Sequence, residues 1–206
     1  MIAYKFLAAG SLSPFRSFRW PVPVASGAGA WVEAPDERLD HGIHACRLNE
    51  LAFWLDAELW RAELADPVAE GQHQVVGRRG RLVGRVSAWD EALARSFGEA
   101  CIWLSRDRSV GALGVAGAER DAGSLGRVRD LAELHAVTTE LSTRGGLVAA
   151  LAGHVGEAIE FLEAGDAPCA AYICARVAVV AAGGLESEFA AERERQAAIL
   201  AERLRL

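Results

Sequence analysis

The hydrophobic pattern of this 206-residue chain changes its period near Ser87. Before that point, Leu59–Leu64 alternates, with Trp60 and Leu64 on one face of a strand and Arg61 on the other. After it, apolar residues recur every three or four positions, as on one face of a helix: Trp89, Leu93, Phe97, Cys101 and Leu104. The switch predicts an α+β fold in which a small antiparallel or mixed sheet, 1–86, packs against a C-terminal helical bundle, 87–206.

Turn-forming residues divide both parts into elements. The predicted strands are short: 4–7, 30–33, 42–46, 59–64, 74–77 and 81–86, with a short helix at 51–55. The last two strands are either separate or parts of one long bent strand. Residues 105–126 contain five glycines and are predicted to be a loop. Further helices follow, one of them beginning at Asp166 and Pro168. Because so small a sheet needs a cover for its apolar face, we predict that the two parts share one core.

Charge is unevenly distributed along the chain. Residues 1–86 hold ten basic and ten acidic side chains, so the net charge of −6 belongs to 87–206, with twelve and eighteen. An acidic helical part argues against nucleic acid as a partner, because that affinity comes from neutralising phosphates. All basic residues except Lys5 are arginines, a bias that we attribute to a GC-rich genome.

Hydropathy and motifs indicate the class of protein. The longest apolar stretch, 167–182, contains Arg176 and is too short to span a membrane, and no long apolar core marks a signal peptide. The four cysteines lack a CxxC pair, which is typical of reduced thiols. No P-loop, G-x-S-x-G or H-E-x-x-H is present. We therefore expect a soluble cytoplasmic protein that uses no cofactor and has no membrane partner; homodimerisation stays open.

The segment His41-Gly-Ile-His44-Ala-Cys46 concentrates reactive side chains. His44 and Cys46 share a face of a strand, because side chains alternate along it. One interpretation is a buried strand with a hydrogen-bonded histidine and a packed thiol. A second is a catalytic His44 and Cys46 with His41 in the ligand site. A third is a zinc site, for which a fourth ligand is not evident.

Tryptophans and arginines supply further candidates for ligand binding. Trp20 and Trp31 flank a loop rich in proline and glycine, where a flat ring suits a pocket rim. Arg79 and Arg81 share a strand face and would attract phosphate or carboxylate, unless that face is solvated or ion-paired. Arg176 in an apolar helix needs a partner, either a carboxylate such as Glu140 or Glu157 or a ligand anion.

Part of the chain resembles an uncharacterised bacterial domain type. In that type a GxHAC strand precedes a short helix and a WxxELA-like strand, matching Gly42–Cys46, Leu51–Leu55 and Leu59–Leu64. The resemblance covers roughly residues 1–86 and implies no known activity.

Two functions remain open from the sequence. The first is a small-molecule binding protein or cofactor-independent enzyme, with a pocket lined by tryptophan and histidine between sheet and helices. The second is a protein–protein interaction module that acts through its acidic helical part. A concave pocket with polar groups around His44 would favour the first.

Overall fold

The computed structural model describes residues 1–14, 18–24, 27–35 and 41–206. It confirms the α+β class, with strands in the N-terminal part and helices in the C-terminal part. The chain forms two compact units: residues 1–93 with 197–206, and residues 94–196. The predicted core shared between the two parts stays a prediction.

The sheet of the first unit has five strands among the described residues. They are β1 (Ile2–Leu7), β2 (Val32–Glu33), β3 (Ile43–Ala45), β4 (Glu58–Gly71) and β5 (Gln74–Arg85). All pairings are antiparallel, in the order β1-β4-β5-β2, and β3 also pairs with β5. A 3-10 helix, Leu48–Trp54, connects β3 to β4.

A single backbone bridge closes the sheet on itself. Tyr4 and Cys46 exchange two hydrogen bonds, of 2.8 and 2.7 Å between nitrogen and oxygen. Since β1 already pairs with β4, and β5 with β3, this bridge completes a ring of β1, β4, β5 and β3. Side chains of the interior face form one core: Ala3, Leu7, Trp20, Ile43, Ala45, Trp60, Leu64, Val75 and Leu82.

The helices carry the remainder of the chain. They are α1 (Glu91–Val115), α2 (Glu119–Gly126), α3 (Leu131–Ser142), α4 (Gly146–Glu163), α5 (Ala167–Ala181) and α6 (Ser187–Leu204). As predicted, α5 begins at Asp166, whose side chain accepts from the Cys169 amide at 3.0 Å, with a proline in the first turn. None of the described helices has the length and apolarity that crossing a membrane requires.

The loop predicted at 105–126 is wrong, because α1 and α2 occupy most of it. Interior glycines cost roughly 1 kcal/mol each relative to alanine, yet packing offsets this cost. Leu113 and Leu125 are fully buried. Arg106 also donates to the carbonyls of Leu125 and Val128, at 3.3 and 3.4 Å. Glycine count alone therefore misled the assignment, since tertiary contacts decide such segments.

A buried carboxylate fastens the segment that follows β1. Glu58 is 8% exposed and accepts from the Gly10 amide at 3.1 Å, the Ser11 hydroxyl at 2.9 Å and the Trp60 indole at 3.0 Å. Burial alone would raise the pKa of this carboxyl, but the three donors outweigh it and the pKa is lowered. The ionised form therefore stabilises the fold.

We expect Glu58→Gln to lower the free energy of unfolding by about 1–3 kcal/mol near neutral pH, because an amide cannot accept from all three donors. The pKa of Glu58 is lower in the folded protein than in the unfolded chain. The ionised carboxylate therefore stabilises the fold at pH values above its pKa in the unfolded chain, and this stabilisation is lost as the pH falls through its pKa in the folded protein. The difference from wild type should thus shrink below about pH 4. Urea unfolding followed by tryptophan fluorescence measures both.

The matched control is Glu63→Gln on the same strand. Glu63 pairs with Arg81 and is one-third exposed, and such pairs contribute at most about 1 kcal/mol. The role given to Glu58 would be contradicted if both variants lost the same free energy of unfolding. It would also be contradicted if Glu58→Gln remained less stable than wild type below about pH 4.

Candidate functional site

A pocket of about 710 Å³ lies where β1 and β3 separate beyond the Tyr4–Cys46 bridge. Its lining residues come from β1, β2, β3, the segment before β2, the 3-10 helix and the start of β5, all within the first unit. Aromatic rings form much of the wall: Tyr4, Phe6, Phe18, Trp20, Phe53 and Trp54. Ionisable side chains also line it: Tyr4, Lys5, Glu33, His41, His44, Cys46 and Asp56. This combination is typical of sites for small organic molecules.

Lys5 is the one lysine of the chain, and it lies in this pocket. It stands on β1 between the core residues Ala3 and Leu7 and is 9% exposed. Its Nζ donates to the His44 carbonyl oxygen at 2.5 Å and lies 5.0 Å from the centre of the Trp20 ring. Within the described part of the chain, no carboxylate pairs with it. Burial lowers the pKa of Lys5 from 10.5 to about 8.

Trp20 forms the aromatic face beside this amine. It is 5% exposed, and its amide donates to the Ser11 carbonyl at 2.9 Å, which fixes its segment. Phe18 meets its ring edge-on at 5.8 Å. The indole Nε1 is buried and has no hydrogen-bond partner among the described residues. Together with the Lys5 amine, the pocket wall thus holds two buried polar groups that have fewer hydrogen bonds than they could form among the described residues. Such groups are uncommon in a folded protein.

His44 contributes its ring on the other face of β3. Ile43 and Ala45 belong to the interior core, so alternation directs the intervening side chain outward. Its Nδ1 lies 2.8 Å from Oε1 of Gln74. Because an amide oxygen only accepts, we assign a proton to Nδ1.

The 3-10 helix holds Gln74 in place through the adjoining turn. His73 has a φ of +57°, which is unusual for a residue with a side chain. Its ring stacks on Phe53, with centroids 3.7 Å apart and planes 9° from parallel. Trp54 Nε1 donates to its carbonyl oxygen at 2.5 Å. These two contacts fasten the turn and place Gln74 beside His44.

Cys46 lies at the pocket but has the chemistry of a buried thiol. It is 1% exposed, and its backbone makes the closing bridge with Tyr4. Burial, followed by the charge of Glu50, raises its pKa above the usual range. At neutral pH the thiol is therefore protonated and a poor nucleophile. Its predicted catalytic role stays a prediction that this environment does not favour.

The other predicted site residues are divided among three places. His41 lines the pocket, but Trp31 does not. The guanidiniums of Arg79 and Arg81 lie over the Trp31 ring, 4.9 and 4.6 Å from its centre. Both are paired with carboxylates of the same unit, Arg79 with Glu33 at 3.4 Å and Arg81 with Glu63 at 2.6 Å. This surface cluster fits the ion-paired interpretation of that strand face.

Arg176 lies on α5, in the second unit. Its Nη1 is 3.0 Å from a carboxylate oxygen of Glu186, and its guanidinium lies 5.8 Å from the ring centre of Phe189. The expected partners Glu140 and Glu157 are wrong, because the side chain is one-third exposed and turns to the segment before α6. The structure does not bring Arg176 to the pocket lining.

Sequence reasoning missed Lys5 and Gln74. The sequence contained a signal for Lys5. The chain has 21 arginines and one lysine, and that lysine lies inside an apolar strand segment. Gln74 gave none, since its role depends on a turn held by aromatic side chains far away in sequence. No set of three histidine, cysteine or acidic side chains within 1–14, 18–24, 27–35 and 41–206 is placed to hold a metal ion.

Comparison of the chain with protein-family models, curated proteins and solved structures finds no match.

We expect Lys5→Met to raise the free energy of unfolding by about 1–3 kcal/mol at neutral pH, because a buried ammonium is replaced by an apolar side chain of similar length. Between pH 8 and 10.5 the unfolded chain holds the lysine proton more often than the folded one. Wild-type stability therefore rises with pH there, and the advantage of Lys5→Met should narrow. Urea unfolding near neutral pH and near pH 10 tests this.

Arg61→Met provides the control, since Arg61 is exposed on the neighbouring strand β4. That change should alter stability by less than about 0.5 kcal/mol at either pH. A Lys5→Met protein that is less stable than wild type at neutral pH would show that the buried amine is a structural support.

Proposed function

We propose that the first unit binds a small, largely apolar molecule in the pocket between β1 and β3, with an oxygen atom of the ligand at the Lys5 amine. The observation that carries this proposal is a nine-tenths buried lysine beside the ring of Trp20, for which the described residues supply no carboxylate partner. A carbonyl or carboxylate oxygen would supply the partner that the described side chains do not. The aromatic wall would bury the ligand's apolar body.

His44 supports a second polar contact. Gln74 fixes the orientation of the ring through Nδ1, so Nε2 is the nitrogen that would bond a ligand. The pocket lining includes residues from both faces of β3, because the pocket lies at the strand edge. A ligand hydroxyl or amide group at His44 would therefore fit together with an oxygen at Lys5.

These features favour small-molecule binding over an interaction module. A pocket with polar groups around His44 is the arrangement that separates the two hypotheses. An interaction module would need neither a buried amine nor an oriented imidazole at the end of a pocket. The alternative through the acidic helices stays a prediction without a specific contact to support it.

We expect benzoate, a flat probe with one carboxylate, to bind weakly and to change tryptophan fluorescence, because Trp20 lies beside the carboxylate's expected position. Lys5→Met should weaken its binding by about tenfold or more, since one charge-assisted hydrogen bond is lost. Titration followed by ligand-observed NMR gives the affinities. Indole-3-acetate serves as a second, larger probe of the same charge.

His44→Ala should weaken indole-3-acetate several-fold, and the matched control is His154→Ala. The control histidine lies on α4 and bonds the carbonyl of its own helix at Ala150. Affinities that are equal in wild type, Lys5→Met and His44→Ala would show that neither probe uses this pocket, as would binding that responds to His154→Ala.

A further inference from the structure

We propose that Lys5 forms an imine with an aldehyde or ketone in the β1–β3 pocket, so that the ligand class is a small, largely apolar carbonyl compound. This inference rests on the proposed function, because it names the reaction that the same pocket would perform. It adds a covalent step at one atom, Nζ of Lys5.

Lys5 is the one lysine of the sequence. The other 21 residues of the Lys and Arg set are arginines. A guanidinium binds anions as well as an ammonium does, but it does not lose its proton near neutral pH and is not a nucleophile. The one position with a primary amine in its side chain is also the one inside an aromatic pocket. A simple anion site would not require this exception.

The groups around the amine favour its neutral form. Among the described residues, Nζ has one hydrogen-bond acceptor, the His44 carbonyl, and it lies near the face of Trp20. Neither group carries a full negative charge that would hold the proton on nitrogen. In a dry, apolar setting the neutral amine is favoured over the ammonium, which is how buried lysines become nucleophiles. Burial lowers the pKa of Lys5 to about 8, in the same direction.

The pocket offers space for a ligand beside the amine. The pocket lies at the split between strands and Lys5 is one of its lining residues, so a ligand in the pocket would lie beside the lysine side chain. Aromatic rings around it would hold an apolar aldehyde with its carbonyl directed at the amine. Trp20 Nε1, buried without a described partner, lies in the same wall.

The proposed step balances without an oxidant or a cofactor. The lone pair of neutral Nζ attacks the carbonyl carbon, and a carbon–nitrogen single bond forms as the carbonyl π bond breaks. Two protons leave the nitrogen and join the carbonyl oxygen, which departs as water. The product is a carbon–nitrogen double bond between ligand and Lys5, reversible by the same water.

The test uses benzaldehyde with sodium borohydride on the folded chain. Hydride reduces the imine to a stable benzylamine, and mass spectrometry with peptide fragmentation locates it. At pH 7.5 the folded Lys5 should hold on the order of a hundredfold more neutral amine than an ordinary lysine, given a pKa of about 8 against 10.5. We expect trapping on Lys5 in the folded protein to exceed trapping in urea by a similar order.

Two variants and one competitor make the result specific. Lys5→Arg keeps the charge without the nucleophile, and Lys5→Met serves where the arginine does not fold; both should lose the Lys5 adduct. The Met1 amine, which donates to the Leu64 carbonyl at 2.8 Å, is the other primary amine of this chain. Fragmentation separates the two positions, and the variants retain the Met1 background.

Failure of the inference and failure of the proposed function give different results. Benzoate has the same ring but cannot form an imine. If benzoate binds in a Lys5-dependent way while benzaldehyde leaves Lys5 unmodified, the pocket stands and imine formation is refuted. If Lys5 reacts no faster folded than in urea, or Met1 alone is trapped, the inference is also refuted. If neither probe binds, both proposals fall.

Discussion

The two backbone hydrogen bonds between Tyr4 and Cys46 are the constraint on which the candidate site depends. They turn an open path of antiparallel strands into a ring, so the outer edges of β1 and β3 meet. Because the bridge joins one residue pair, the strands separate immediately beyond it. The next carbonyl of β3 on that edge, that of His44, accepts from Lys5 Nζ. The pocket is therefore a consequence of closure at a single pair.

The interior of the ring cannot provide the same space. A Cβ added to Gly80 would lie 2.8 Å from Cγ2 of Ile43 and 3.1 Å from Cδ2 of Leu64, both closer than ordinary packing allows. Contacts this tight show that Ile43 and Leu64 fill the space around Gly80, as expected for a small closed sheet. The space for a ligand therefore lies at the split, where Lys5, Trp20, Ile43 and Ala45 of the interior face line the pocket together with His44 and Cys46 of the other face.

Sequence periodicity predicted the fold class because alternation and helical spacing are local properties. Closure of the sheet was not predictable, since nothing in Tyr4–Leu7 or Gly42–Cys46 indicates that they pair. The same limitation hid Lys5, which the sequence presented as an interruption of an apolar strand. His44, Cys46 and Trp20 were identified as candidates from their residue types, and the structure places them at one pocket. Trp31 was predicted to line the same pocket because it flanks the same loop as Trp20. Its ring instead lies against the guanidiniums of Arg79 and Arg81 on another surface.

Strand alternation also separates the roles of Lys5 and His44. The lysine stands on the interior face with Ala3 and Leu7, whereas the imidazole leaves the opposite face of β3, and the two residues meet through the His44 carbonyl. We therefore assign the imidazole, under the proposed function, to ligand binding and not to deprotonation of the amine. Burial lowers the pKa of the Lys5 amine to about 8 and raises that of the Cys46 thiol. Because burial favours the neutral form of both groups, it favours a nucleophilic amine and disfavours a nucleophilic thiolate, which is why we propose Lys5 and not Cys46 as the nucleophile of this pocket.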